Sequence, residues 1–291
     1  MNELGGARAE PMSRHTSLHI GGPADYFVRV RSEDDLVGAV RVAREAELPT
    51  FILGGGTNLL VADAGIRGVV LENAFSDVTV RGTMLDAASG TPLASVAAAA
   101  ARNGVIGLEW MATVPGTVGG AVHGNAGAFG SDTASALIDV RLLDLNGDLW
   151  NMRAEELGYA YRTSTLQKTP AICVRARFQG EPGDRPTAVQ RIKEMANERI
   201  AKQPLAQPNT GSIFRNPPGD HAGRLIEAAG LKGTRIGDAM VSEKHANFIV
   251  NAGTATATDV RALMRRCQAE VKERFDVDLV PEVELVGEWD A

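Results

Sequence analysis

Two glycine-rich stretches are the residues of this chain best suited, by type and spacing, to hold a ligand. The first reads Gly54-Gly55-Gly56-Thr57-Asn58. The second reads Pro115-Gly116-Thr117-Val118-Gly119-Gly120 and continues through Gly124-Asn125-Ala126-Gly127. Glycines packed this densely let backbone N–H groups approach a ligand with no Cβ in the way, and successive N–H groups in a turn form an anion-binding concavity. Thr57 and Asn58 add side-chain hydrogen bonds. Neither stretch is a Walker A loop, since no Gly-Lys-Ser/Thr follows, and neither has Rossmann glycine spacing. Either alone is also what a tight turn requires for steric reasons. Both follow apolar segments, so together they suit one extended anionic ligand, and a dinucleotide cofactor fits that description.

The elements that position these loops are legible in outline. A strand over 25–30 precedes a helix opened by Ser32, with Asp35 three residues on in a capping-box-like start. Leu36, Val40 and Ala43 give that helix its apolar face. A strand over 50–53 runs into the first glycine loop, and another covers 68–72. An alanine-rich helix is started by Thr91-Pro92, stopped by Asn103-Gly104, and leads toward the second loop. Strands are expected over 78–81, 140–145 and 172–178, and Asn146-Gly147 predicts a hairpin joining 141–145 to 148–152. Residues 181–186 read as a linker, 187–202 as a helix ended by Pro204, and 223–275 as a small module whose last helix spans about 258–274. The tail, 279–286, reads as a strand.

Composition narrows the function classes. The 291 residues are 44% hydrophobic and 23% charged, ordinary for a globular protein with a substantial core. A net charge of −6 gives no basic excess to meet a phosphate backbone, so no nucleic-acid partner is expected. Cys173 and Cys267 form no Cys-x-x-Cys pair and are expected to be buried, reduced thiols. His15 and His19 stand four apart in a stretch with no helical pattern, so local hydrogen bonding is expected and no metal site. With neither an apolar signal core nor a segment of transmembrane length, a cytoplasmic protein without a membrane partner is expected. The oligomeric state is open, with a monomer favoured.

Several segments, taken in order, carry a resemblance. They are His15-Thr16-Ser17-Leu18-His19-Ile20-Gly21-Gly22-Pro23-Ala24-Asp25; Leu53-Gly54-Gly55-Gly56-Thr57-Asn58-Leu59-Leu60-Val61; Gly107-Leu108-Glu109 followed by Pro115-Gly116-Thr117-Val118-Gly119-Gly120-Ala121; Tyr161-Arg162-Thr163-Ser164; Gly211-Ser212-Ile213-Phe214-Arg215-Asn216-Pro217; His245-Ala246-Asn247-Phe248; and Pro281-Glu282-Val283. Their order and spacing resemble the UDP-N-acetylenolpyruvoylglucosamine reductase family over nearly the whole chain. The glycine loops alone would indicate only the wider vanillyl-alcohol oxidase type of flavoenzyme. The resemblance implies an α+β fold: FAD-binding subdomains over 1–74 and 75–180, a linker helix over 181–206, a smaller α/β substrate-binding domain over 207–278, and a C-terminal strand and tail over 279–291. It implies FAD on the glycine loops, with Gly54, Gly55, Gly56, Thr57, Asn58, Gly116, Gly119, Gly120, Asn125 and Gly127 as binding residues. NADPH would reduce the flavin, and the enolpyruvyl group of a UDP-sugar would be reduced in turn.

The same resemblance implies roles for three residues. Arg162 matches the family arginine that stabilises developing charge, and its fixed, permanently charged guanidinium suits a carboxylate acquiring enediolate character. Ser212 matches the family proton donor; a hydroxyl is a poor acid in water, but the carbon it serves is a strong base. Glu282 matches a carboxylate near the C-terminus, chosen over Glu284 because it follows Pro281. On a regular strand the two would share a side. Lys202, Arg215 and Asn216 are candidates for the diphosphate or uridine. Two departures stand out: His123-Gly124 replaces a larger aromatic–Met pair, and no insertion carries a substrate-capping tyrosine loop, as in the family's shorter branch. The competing readings are an FAD-dependent sugar or alcohol oxidase on the same scaffold, for which His123 is the local candidate for covalent attachment, and a nucleotide-binding protein that has lost the chemistry.

Overall fold

The computed structural model describes residues 6–289. The chain forms two compact units, each assembled from separated segments. The first takes the described N-terminal residues through Ala7, then Phe27–Gly55 and Gly68–Arg199; the second takes Arg8–Tyr26, Gly56–Arg67 and the chain from Ile200 onward.

The first unit holds most of a four-stranded sheet in the order Ala7–Pro11, Pro23–Val30, Ile66–Asn73, Thr50–Leu53. Helix α1 (Glu33–Glu45) begins as expected. The Ser32 hydroxyl accepts the Asp35 N–H at 3.0 Å, and the Asp35 carboxylate accepts the Arg31 N–H at 2.9 Å, so two donors at the helix entrance are satisfied. It buries Leu36, Ala39, Val40 and Ala43. Strand Thr50–Leu53 pairs in parallel with Ile66–Asn73 and delivers the first glycine loop from its C-terminal end.

A five-stranded antiparallel sheet follows, in the order Leu149–Arg153, Leu137–Asp144, Ala171–Gln179, Met84–Ala88, Val78–Arg81. The hairpin expected at Asn146-Gly147 is present, with Gly147 at φ 89°. One face of this sheet is covered by α2 (Leu93–Arg102) and α3 (Val118–Gly124). Leu85, Val96, Trp110, Val122, Val140 and Phe178 share the resulting core. Burying a side chain of that size stabilises by about 1.5–3 kcal/mol, so this core is what makes α3 a firm support for the second glycine loop. Short α4 (Thr133–Ala136) and long α5 (Arg185–Lys202) come next. Residues 181–186, read as a linker from composition, are tied back to the chain at their start. Glu181–Pro182 pairs with Val105–Ile106, and the Gly183 N–H reaches Gly104 O at 2.8 Å.

The second unit contains α6 (Ala222–Ala228), α7 (Ala257–Phe275), an antiparallel sheet of Arg235–Ile236, Ala239–Val241 and Ile249–Asn251, and a parallel pair of Leu59–Val61 with Glu284–Val286. Its core joins Leu18, Ile20 and Leu60 to Phe214, Leu225 and Leu263. The strand expected over 279–286 is regular only at Glu284–Val286. Pro281 has no N–H to give a ladder, and it makes an isolated bridge with Phe214 instead. Glu282 and Glu284 therefore do not lie on one regular strand. Cys173 and Cys267 are buried as expected, and burial pushes both thiols up to about 12. Among the described residues no helix is long and apolar enough to cross a membrane.

Candidate functional site

In the first unit the two glycine loops meet. A Cβ at Gly54 would lie 2.6 Å from Thr117 Oγ1, so the hydroxyl occupies the space a side chain would take. Gly116 sits at φ 119°, in the region that favours glycine, and its carbonyl accepts the Leu93 N–H at 3.1 Å. The next residues tie the loop to the sheet: Val118 N–H to Thr91 O at 2.9 Å, and Gly119 N–H to Ser89 O at 2.7 Å. Gly119 lets the backbones approach closely, while the nearest atom to a Cβ at Gly120 would be Thr117 Oγ1 at 3.8 Å. Gly55 is exposed. The result is a Cβ-free, hydroxyl-lined surface formed by both loops, and its donor chemistry fits a pyrophosphate.

Asn125, also expected at the cofactor, is buried and engaged within the protein. It ends α3 in the left-handed region, at φ 46°. Its amide donates to Asp132 Oδ2 at 3.1 Å and Ala160 O at 2.9 Å, and its oxygen accepts the Ala134 N–H at 3.0 Å. Arg162 completes this arrangement. It too has a left-handed backbone, at φ 55°, and its guanidinium donates to Asn125 O at 3.3 Å and Gly127 O at 2.7 Å while lying over the Tyr161 ring. The structure thus brings Arg162, Asn125 and Gly127 together. The backbone strain at a non-glycine residue, on the order of 1–3 kcal/mol, is offset by charge-assisted bonds to two carbonyls. His123 caps the same turn, its carbonyl accepting the Ser164 hydroxyl at 2.6 Å.

The second unit gathers the remaining residues. Gly56 has φ 61°, and a Cβ there would come within 1.9 Å of His15 O, a close approach only glycine permits. Its carbonyl accepts the Ser17 N–H at 2.9 Å. Thr57 is half-buried. The Asn58 amide donates to Glu282 O at 3.0 Å, and Glu284 N–H returns to Asn58 O at 3.0 Å. Ser212 follows Gly211, whose φ is 78°. Beyond it, Ile213 O accepts the Glu282 N–H at 2.8 Å and Arg215 N–H reaches Val280 O at 2.9 Å. The residue after Ser212 is therefore backbone-paired to Glu282 from the far end of the sequence.

Ser212 opens onto a cleft of about 350 Å³ lined also by Asn216, Arg224, Lys244, His245 and Asn247. Asn216 Oδ1 accepts the Ala222 N–H at 3.1 Å and so starts α6. Lys202 is exposed at the end of α5, where the carbonyl of Ile200 accepts the Lys244 ammonium. Burial holds the His245 imidazole below its ordinary value, and neighbouring Lys232 adds to the effect. Sequence reasoning assigned no role to Arg224, Lys244 or Asn247. The quoted His245-Ala246-Asn247-Phe248 segment was the available signal for the last.

Two family models match the chain: the FAD binding domain over residues 24–153, and the UDP-N-acetylenolpyruvoylglucosamine reductase C-terminal domain over residues 203–286. A UDP-N-acetylenolpyruvoylglucosamine reductase 2 of Symbiobacterium thermophilum is 47% identical over 96% of this chain and 92% of its own length. The chain belongs to the UDP-N-acetylenolpyruvoylglucosamine reductase family. The reductase of Caldanaerobacter subterraneus subsp. tengcongensis is 44% identical over 96% of this chain and 93% of that protein. The crystal structure of the Thermus caldophilus family member superposes with a TM-score of 0.82 at 36% identity, covering 95% of this chain and 97% of the other. Members of this family are oxidoreductases, and the expected α+β fold with an FAD-binding module holds for this chain. The oxidase reading is not favoured by these relationships.

Proposed function

We propose that this chain reduces the enolpyruvyl group of UDP-N-acetylglucosamine enolpyruvate to UDP-N-acetylmuramate, a step of cytoplasmic peptidoglycan precursor synthesis, with NADPH as the reductant. FAD, when bound, supplies the hydride that it takes from NADPH. Gly54, Gly55, Gly56 and Thr57 with Gly116, Gly119, Gly120 and Gly127 would hold it, the Cβ-free surface beside Thr117 receiving its pyrophosphate. Asn125 would act behind them, by fixing the end of α3.

The substrate double bond takes up a hydride at its terminal carbon and a proton at its α-carbon. The Ser212 hydroxyl delivers that proton, and the Glu282 carboxyl orients the substrate carboxylate or a water. Arg162 stabilises the charge that develops on the carboxylate. Arg215 and Asn216 flank the serine segment, and with Lys202 they serve the diphosphate or uridine of the nucleotide. Lys244 and Arg224 stand in the cleft wall with Glu227, the Arg224 guanidinium paired to Asp220, and would serve the same group.

The observation that supports this reading is the cleft onto which Ser212 opens, with the next residue, Ile213, backbone-paired to Glu282. The test is a two-step colour change. Under anaerobic conditions NADPH should bleach the yellow protein, and the enolpyruvyl nucleotide should restore the colour. In Ser212→Ala, bleaching should stay within about twofold of the parent while restoration slows by 10²-fold or more, in line with loss of a general acid. Bleached protein that the nucleotide cannot reoxidise would reject the reading. Equal slowing of both steps in the variant would remove Ser212 from the proton-donor role.

A further inference from the structure

The segment that carries Ser212 is held on both sides, and one of the two sides is a side chain. Toward the C-terminal tail the bonds are backbone to backbone, at Ile213–Glu282 and Arg215–Val280. On the other side stands Asn247, which is only 3% exposed. Its backbone O accepts the Ile213 N–H at 2.9 Å. Its side-chain amide then engages both polar groups of Phe214: Nδ2 donates to Phe214 O at 2.8 Å, and Oδ1 accepts the Phe214 N–H at 3.0 Å. An asparagine carries one donor group and one acceptor in fixed geometry, so it can stand in for the neighbouring residue of a strand. Among side chains of this length only a protonated aspartic acid also matches a backbone N–H and C=O at once. Asn247 is itself braced, because its own N–H donates to His245 Nδ1 at 3.2 Å.

The geometry points to Asn247 as a positioning residue for the proton-transfer step. It fixes residues 213–214, and through them both the Ser212 hydroxyl and the Ile213 carbonyl that receives Glu282. This inference rests on the reading of Ser212 as proton donor. A buried amide with both atoms used in this way is costly to disturb: an unpartnered Phe214 N–H or C=O would be left without water to replace the bond. Removing the side-chain clamp leaves the Ile213 N–H on the carbonyl of residue 247 but frees Phe214 on that side, so the segment stays attached but loses its aim. A misaimed hydroxyl lets solvent protonate the α-carbon, and solvent reaches either face.

The experiment uses the FAD-loaded full chain, with Asn247→Ala and the near-isosteric Asn247→Asp. When ionised, the aspartate keeps the acceptor for the Phe214 N–H and sets a second oxygen against Phe214 O; protonated, it restores the donor, so its readouts are taken across pH. Three readouts are taken: the rates of bleaching by NADPH and of reoxidation by the enolpyruvyl nucleotide, the epimer ratio at the lactyl carbon of the product, and amide hydrogen exchange at Ile213, Phe214 and Glu282. In Asn247→Ala, and in Asn247→Asp at a pH where its carboxyl is ionised, bleaching should stay within about twofold, reoxidation should slow about ten- to a hundredfold, and the product should become a mixture of epimers. Exchange at the three amides should rise with little change elsewhere. Should Asn247→Ala fail to fold, the aspartate variant decides alone. Single-epimer product at the parental rate, or equal slowing of both half-reactions, would overturn the role of Asn247. Failure of the parent protein to be reoxidised would instead overturn the underlying functional reading.

Discussion

His245 lines the cleft with its ring edge against Phe248, the centroids 4.9 Å apart, and its Nδ1 accepts the Asn247 N–H. That bond requires a neutral ring with the proton on Nε2. Burial lowers the pKa from the ordinary value of 6.5, Lys232 repels the charged form further, and a backbone hydrogen bond and Glu227 only partly oppose this. The sign follows from linkage. Below about pH 6.5 an unfolded chain takes up a proton at this histidine while the folded chain resists it, so stability present at neutral pH is lost as pH falls through the lowered folded value. The unfolding midpoint should therefore drop on acidification from about pH 7 to 5, and it should drop less in His245→Gln, which does not titrate. Parallel pH profiles for the two proteins would show that His245 protonation has no part in acid sensitivity.

Helix α7 shows how an element can be secured from two places in the chain. Thr256 and Asp259 form a capping box, each side chain accepting the other's N–H at 3.0 Å. The two donors before Asp259 are met by Asp63, 194 and 195 positions away, which accepts the Ala257 N–H at 2.8 Å, the Thr258 N–H at 2.9 Å and the Thr258 hydroxyl at 2.7 Å. A carboxylate at a helix N-terminus also interacts favourably with the helix dipole. Asp63→Ala should cost about 2 kcal/mol in urea unfolding, and Asp63→Asn, which retains an acceptor, clearly less. Equal losses would mean that charge rather than the acceptor dominates. The contrast between the caps also marks what the sequence discloses. Helix starts such as Ser32 and the Asn146-Gly147 turn are local, so residue type and spacing reveal them. The bond from Ile213 O to Glu282 N–H is backbone only, and any residue pair could make it. Asp63 and Asn247 act across long separations through groups that many surface residues carry. The residues of the candidate site were thus legible mainly as family motifs, while what holds them in place became visible only in three dimensions.

Across the whole molecule the chain crosses between units rather than completing one before starting the next. The unit that carries Ser212 and Glu282 needs Arg8–Tyr26 and Gly56–Arg67 as well as the residues from Ile200 onward. Periodicity and linker composition do not report such interleaving, because each crossing falls inside an ordinary strand or loop. The consequences for folding are specific. A fragment starting at Ile200 lacks Leu18, Ile20 and Leu60 from its core, lacks Leu59–Val61 as the parallel partner of Glu284–Val286, and lacks Asp63 at the start of α7. Each missing core side chain forfeits about 1.5–3 kcal/mol of burial, and whole domains are stable by only about 5–15 kcal/mol. The fragment should therefore show narrow amide dispersion and no cooperative thermal transition. A fragment that melts cooperatively with a dispersed amide spectrum would mean that the C-terminal segment stands alone. Folding of the site would then proceed without the N-terminal segments, and Gly56–Asn58 would join it only after Ile213 and Glu282 were already paired.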